Sequence, residues 1–100
     1  MYRGTTPKHI FQVPIDTSLI NKVKITYCQK DREILVKRTE DCTIEDGVIS
    51  TRLSQEDTFK FECNLYVTIQ VRILTTSGDV LTSEPIMASV GKCLDDEVLV

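Results

Sequence analysis

The sequence predicts an all-β domain, and three observations lead to that class. Apolar and polar residues alternate from Phe59 to Ile73, which is the period of a strand with one dry face. Thr, Val and Ile make up 32 of the 100 residues, and β-branched side chains favour pleated surfaces. Turn-forming residues recur about every ten positions. Together they predict an immunoglobulin-like antiparallel β-sandwich of about seven or eight strands, with a small open β-barrel as the alternative.

The first half of the chain divides into short strands separated by turns. Pro14 closes the first strand because proline cannot donate a hydrogen bond to a central ladder. Lys30 and Asp31 form a tight turn, and Asp46-Gly47 is a strong signal for a two-residue hairpin. The strands predicted between these turns cover residues 8–13, 20–29, 32–38, 42–45 and 48–53.

The second half begins with a helical turn and contains the longest strand. Ser54 and Asp57 have the spacing of an N-terminal capping pattern, which predicts a compact turn over residues 54–59. Fifteen extended residues would span about 50 Å, too long for this domain, so we expect the long strand to begin near Phe61. After a turn at Ser77-Gly78, two further strands follow at 80–83 and 86–90, on either side of Pro85.

Residues 1–100 are predicted to form a single domain, because the chain is too short for two independent cores. Residues 1–7 are expected to be a flexible arm, and residues 92–100 an acidic and then apolar tail. The apolar phases of the strands predict the buried core. Its members are Phe11, Val13, Val23, Ile25, Tyr27, Leu53, Phe61, Leu65, Val67, Ile69, Val71 and Ile73.

Charge and hydropathy exclude several function classes. The net charge of −3 and the pI of about 5.1 argue against nucleic acid as a partner, since that affinity comes from clustered Lys and Arg. No apolar run reaches the roughly 20 residues of a membrane span. The first residues lack the apolar stretch of a signal peptide. We therefore expect a protein made in the cytoplasm, with no nucleic acid and no membrane partner.

No catalytic, cofactor-binding or metal site is predicted. The cysteines at 28, 42, 63 and 93 form no Cys-x-x-Cys pair, and Cys28 and Cys63 are expected on opposite sheet faces, so reduced thiols are predicted. His9 has no partner at ligand or triad spacing. Asp95, Asp96 and Glu97 are interpreted as a solvated tail. The chain is predicted not to be an enzyme, and we expect no small-molecule ligand.

Two features predict an interaction surface. Tyr66 is an aromatic residue on the polar face of the long strand, and Val98, Leu99 and Val100 lie where nothing local would bury them. Terminal segments are commonly poorly ordered unless they pack against another part of the protein or against a partner. We therefore hypothesise that this end of the domain docks on a neighbouring subunit.

Several segments carry a resemblance to a viral protein family: Arg3-Gly4-Thr5-Thr6-Pro7, Val23-Lys24-Ile25-Thr26-Tyr27, Leu53-Ser54-Gln55-Glu56-Asp57-Thr58 and Ser83-Glu84-Pro85-Ile86. Over nearly its whole length the chain resembles small proteins encoded in phages and prophages of Firmicutes. It is similar, more loosely, to the N-terminal β-sandwich of phage baseplate upper proteins. It lacks the long C-terminal region of those proteins, which would carry the receptor-binding partners.

This resemblance implies a non-enzymatic phage or prophage structural protein. Such a protein would be a tail, baseplate or decoration component that contacts other virion subunits or further copies of itself. It would be made in the bacterial cytoplasm and enter the virion when the phage assembles. The alternative function is a carbohydrate-binding or host-surface adhesion module, although sugar sites usually present aromatic platforms and the chain has no Trp and three Tyr.

Overall fold

The computed structural model describes residues 1–100 and contains two antiparallel sheets. A short helix, α1 (Gln55–Phe59), and two single turns of 3₁₀ helix, Thr17–Leu19 and Thr39–Asp41, connect the strands. The eight strands are β1 (Lys8–Gln12), β2 (Ile20–Gln29), β3 (Arg32–Arg38), β4 (Cys42–Glu45), β5 (Val48–Arg52), β6 (Tyr66–Thr75), β7 (Val80–Thr82) and β8 (Ile86–Ser89).

The prediction of an antiparallel β-sandwich is confirmed. The smaller sheet has the order β1-β5-β4, and the larger sheet has the order β3-β2-β6. Beyond β6, β7 and β8 pair with different halves of that strand. No strand belongs to both sheets, which distinguishes the fold from a barrel. Immunoglobulin constant domains place their second strand beside the first and fifth, whereas here β2 lies between β3 and β6.

The core lies between the two sheets and follows the predicted alternation closely. Nine of the twelve predicted members are buried, among them the β6 residues Val67, Ile69, Val71 and Ile73. Phe11, Val13 and Leu65 are only half-buried. The core also takes in three residues outside the predicted set. These are Leu35, Ile49 and Val90.

Both predicted tight turns have the backbone that two-residue hairpins require. Lys30 and Asp31 adopt φ values of 51° and 59°, and Asp46 and Gly47 adopt 53° and 79°. Positive φ at both central residues matches the right-handed twist of the flanking strands. As a result β2, β3 and β4 have the predicted bounds to the residue.

The start of the long strand differs from the prediction. β6 begins at Tyr66 and not near Phe61, because residues 60–65 form a turn in which Asn64 adopts a left-handed φ of 65°. The buried Gln29 amide bonds both the N–H and the C=O of Glu62, at 2.8 and 2.9 Å, and so replaces a neighbouring strand there. Phe61 is therefore a core residue without being a strand residue.

The predicted cap of the helical turn is confirmed. The Ser54 hydroxyl accepts a hydrogen bond from the Asp57 N–H at 3.1 Å, and the Asp57 carboxylate accepts one from the Ser54 N–H at 2.9 Å. This reciprocal pair satisfies two N–H groups that a helix start otherwise leaves without partners. Helix α1 connects β5 of the smaller sheet to β6 of the larger one.

Candidate functional site

The segment predicted as a flexible arm makes regular backbone contacts. Gly91 donates to the Met1 carbonyl at 2.7 Å, and Arg3 donates to the Gly91 carbonyl at 3.2 Å. Tyr2 and Gly91 form a parallel bridge between these bonds. Further along, the Leu53 N–H donates to the Pro7 carbonyl at 2.9 Å. Residues 1–3 therefore lie beside the chain that leaves β8, and Pro7 lies beside the chain that leaves β5.

The tail after β8 lies against α1 and the arm. The Gln55 side chain accepts from the Leu99 N–H at 2.8 Å and donates to the Leu99 carbonyl at 2.7 Å. The Arg3 guanidinium lies over the Phe59 ring and contacts Asp96 at 3.3 Å. These contacts place the acidic segment Asp95–Glu97 on the outside of the molecule, where all three residues are exposed.

Of the residues predicted to form an interface, Tyr66 borders a cleft that Val98, Leu99 and Val100 do not line. Tyr66 is 63% exposed and lines a cleft of about 390 Å³ with Tyr2, Asn64 and Gly91. We call this the tyrosine cleft. In contrast, Val98 is half-buried and Leu99 is held on α1.

Sequence reasoning did not assign Tyr2 to any surface, although it is as exposed as Tyr66, at 64%. Its ring lies where a Cβ on residue 91 would stand, so only glycine leaves room for it there. The one signal for this contact in the sequence is Gly91, because a residue without a side chain lets an aromatic ring lie directly on the backbone.

A second, more apolar surface opens between the two sheets. The edges of β1 and β7 have no strand neighbour on their outer sides, and a groove of about 370 Å³ lies between them. We call this the edge groove. Its floor contains core residues Val71 and Ile73, and exposed Ile10 and Ile86 stand at its rim. Unpaired edges beside apolar surface are sites where another chain can add a strand.

A row of positive charges crosses the outer face of the larger sheet. Lys24 on β2 lies directly opposite Arg38 on β3 and Arg72 on β6. We call these three residues the cationic row. Lys22 lies in the same basin, which has a volume of about 550 Å³. None of the four makes a salt bridge within the chain.

His9, the residue with no predicted partner, pairs with the buried Tyr27. Its Nδ1 lies 2.8 Å from the Tyr27 hydroxyl. Burial, with the positive charge at Met1, lowers the pKa of His9, and burial raises the pKa of Tyr27. Both shifts keep the pair neutral, so the Tyr27 hydroxyl can donate to a neutral imidazole. This arrangement gives each of the two polar groups a hydrogen-bond partner, with His9 half-buried and Tyr27 fully buried.

The four cysteines are unpaired and half-buried. Burial raises the pKa of the Cys42 thiol, which lowers its thiolate fraction. No three His, Cys, Asp or Glu side chains lie close enough to hold a metal ion together. None of the helices has the length and apolarity to cross a membrane.

Comparison with protein-family models, curated proteins and solved structures finds no match to this chain. The candidate sites therefore depend on geometry alone. They are the tyrosine cleft, the edge groove and the cationic row. All three are open surfaces of the sandwich.

Proposed function

We propose that this chain is a non-enzymatic structural subunit of a phage or prophage of Firmicutes, in a tail, baseplate or decoration layer, and that it works through protein–protein contacts. The edge groove is the observation that carries the assembly role. It presents Ile10 and Ile86 to solvent next to two unpaired strand edges. An extended apolar segment of a neighbouring subunit can add to such an edge through main-chain hydrogen bonds.

The phage context is supported by the sequence resemblance described above. The genes beside the coding sequence bear on it directly. A tape-measure, terminase or holin gene among its neighbours would support a virion role, whereas a metabolic operon would contradict it.

Replacing Ile10 by lysine is expected to weaken self-association at high salt roughly tenfold to a hundredfold, because a buried Ile contributes about 1.5–3 kcal/mol. Ile10 lies on the edge strand and is 60% exposed, so the fold should tolerate the change. Sedimentation velocity over a concentration series would measure the association constant. Leu19→Lys is the matched control, since Leu19 is a comparably exposed aliphatic residue outside the groove.

Two results would count against assembly through the groove. One is a wild-type chain that stays monomeric throughout the series at high salt. The other is Ile10→Lys associating as strongly as Leu19→Lys.

The tyrosine cleft favours one second candidate, a carbohydrate or host-surface binding module. Two exposed aromatic rings flank polar Asn64 and Ser89, which is the kind of platform that sugars stack on. On this reading, binding on a glycan array should be lost in Tyr66→Ala and kept in Tyr66→Phe. An array without signal for the wild-type chain would dismiss this function and leave assembly as the role.

A further inference from the structure

We propose that the cationic row binds the acidic segment Asp95–Glu97 of a second copy of this chain, giving a head-to-tail contact. The inference rests on the proposed assembly function and names a partner for it. It uses a different surface from the edge groove, and a contact between charges responds to salt where an apolar one does not.

The row is an unfavourable arrangement for an isolated sheet. Side chains directly opposite in antiparallel strands have Cβ atoms about 4.5–5.5 Å apart, and like charges at that distance repel. Lys24 has such a neighbour on both sides, Arg38 and Arg72. A bound anion between them would remove the repulsion.

The adjoining side chains supply no compensating acid across the sheet. The next row on the same face consists of Val36, Thr26 and Gln70, and the row on the other side pairs Lys22 with Leu74. Glu40 is the one acidic residue lining the basin, and it forms no salt bridge with any of the cations. The Asp41 carboxylate accepts a hydrogen bond from the Arg38 backbone N–H at 2.9 Å, but it forms no salt bridge with the guanidinium. The side-chain charges of the row are therefore left for a partner.

The chain itself exposes a segment of the opposite charge. Asp95, Asp96 and Glu97 are consecutive and exposed, and only Asp96 has an ion-pair partner, Arg3, at 3.3 Å. The Gln55–Leu99 hydrogen bonds anchor the residues that follow. The acidic segment forms no salt bridge with the row of its own molecule, so we assign the contact to a second copy.

Such a contact joins two different surfaces. A heterologous contact of this kind repeats from copy to copy and generates a ring or an open filament. Because both surfaces are exposed, the contact is expected to weaken as salt screens the charges. Symmetric repetition of a weak contact suits a structural subunit.

A charge-swap experiment tests the proposal. Arg38→Glu with Arg72→Glu reverses the net charge of the cationic row. Asp95→Lys with Glu97→Lys reverses the net charge of the acidic segment. We expect each double variant alone to lose at least about tenfold in low-salt self-association. An equimolar mixture of the two should restore association, as measured by sedimentation velocity. The row variant should also fold, since it places opposite charges beside Lys24.

Lys30→Glu with Arg32→Glu is the control for net charge, because both residues are exposed and lie at the turn end of the β2–β3 hairpin, away from the row. This control should associate like the wild type. Equal association of the row variant and the wild type, or no recovery in the mixture, would overturn the proposal. A monomeric wild type whose row variant loses affinity for duplex DNA would also overturn it, in favour of a nucleic-acid site.

The contact through the edge groove and the contact through the cationic row can be refuted independently. If Ile10→Lys weakens association at high salt while the row variants have no effect at low salt, the head-to-tail contact is wrong and assembly stands. A wild-type chain that is monomeric at both salt concentrations would contradict both proposed contacts.

Discussion

Replacing Phe61 by alanine is expected to lower the free energy of unfolding by about 3–5 kcal/mol, the range for deleting a buried aromatic side chain. Phe61 is 1% exposed and its ring lies 5.9 Å from that of Tyr27, centroid to centroid, at 49°. Truncation removes this tilted contact and leaves a cavity that the turn after α1 fills poorly. Since small domains are stable by about 5–15 kcal/mol, the loss is a large fraction of the total.

Phe11→Ala is the matched control for this loss. Phe11 is the same residue type, but it is half-buried at the rim between the sheets, where solvent can fill the space. Urea unfolding followed by circular dichroism would compare the two, with unchanged m-values as the condition for comparison. A Phe61→Ala loss no greater than that of Phe11→Ala would contradict the placement of Phe61 in the core.

Replacing Asp57 by asparagine is expected to cost about 2–4 kcal/mol, because it breaks a partly desolvated ion pair and weakens a helix cap. The Lys37 ammonium donates to Asp57 Oδ2 at 2.8 Å, and both side chains are only 14% exposed. The substitution leaves Lys37 charged without its partner. Chemical denaturation of the purified chain would measure the change.

Two comparisons separate the ion pair from other effects of this substitution. Asp57→Asn combined with Lys37→Met should lose less stability than Asp57→Asn alone, because the unpaired charge is gone. Glu62→Gln should cost at most about 1 kcal/mol, since its pair with Lys30 is exposed. A double variant less stable than the single one would show that Lys37 needs no partner.

The ion pair between Lys37 and Asp57 also predicts how stability depends on pH. Desolvation raises the pKa of Asp57, but hydrogen bonds from Lys37 and from the Ser54 backbone outweigh it and hold the pKa below its ordinary value of 3.8. The pair therefore contributes fully above that pH. Its contribution is lost as the pH falls through the lower, folded-state pKa. The stability curves of wild type and Asp57→Asn should converge in that acidic range.

Local features of the sequence predicted most of the fold. Two-residue turns need positive φ, and the pairs Lys30-Asp31 and Asp46-Gly47 adopt it. The Ser54 and Asp57 spacing predicted the cap, and alternation predicted the buried face of β6. Each of these features acts between residues a few positions apart, so the amino-acid order is enough to show it.

Pattern alone misplaced the start of β6. Phe61, Cys63 and Leu65 continue the alternation, but a strand also needs a neighbour for its backbone groups. Gln29 supplies that partner for Glu62 from a side chain 33 positions away. A periodic pattern of apolar residues cannot show that a distant side chain takes the hydrogen-bonding place of a neighbouring strand.

The candidate surfaces were decided by tertiary structure. Tyr66 was recognised from its place on a polar strand face. Its neighbour in the cleft, Tyr2, comes from the start of the chain, far from Tyr66 in the sequence. The cationic row unites residues of three strands through register, although the net charge is negative.

The amino-acid order by itself therefore determined the all-β class, the turns and the inward faces, since propensity and side-chain period are local properties. Sheet order, the open groove and the charge row were decided only when distant strands paired. The physical reason is that register between strands depends on contacts across the whole core, and those contacts bring together residues that the sequence holds far apart.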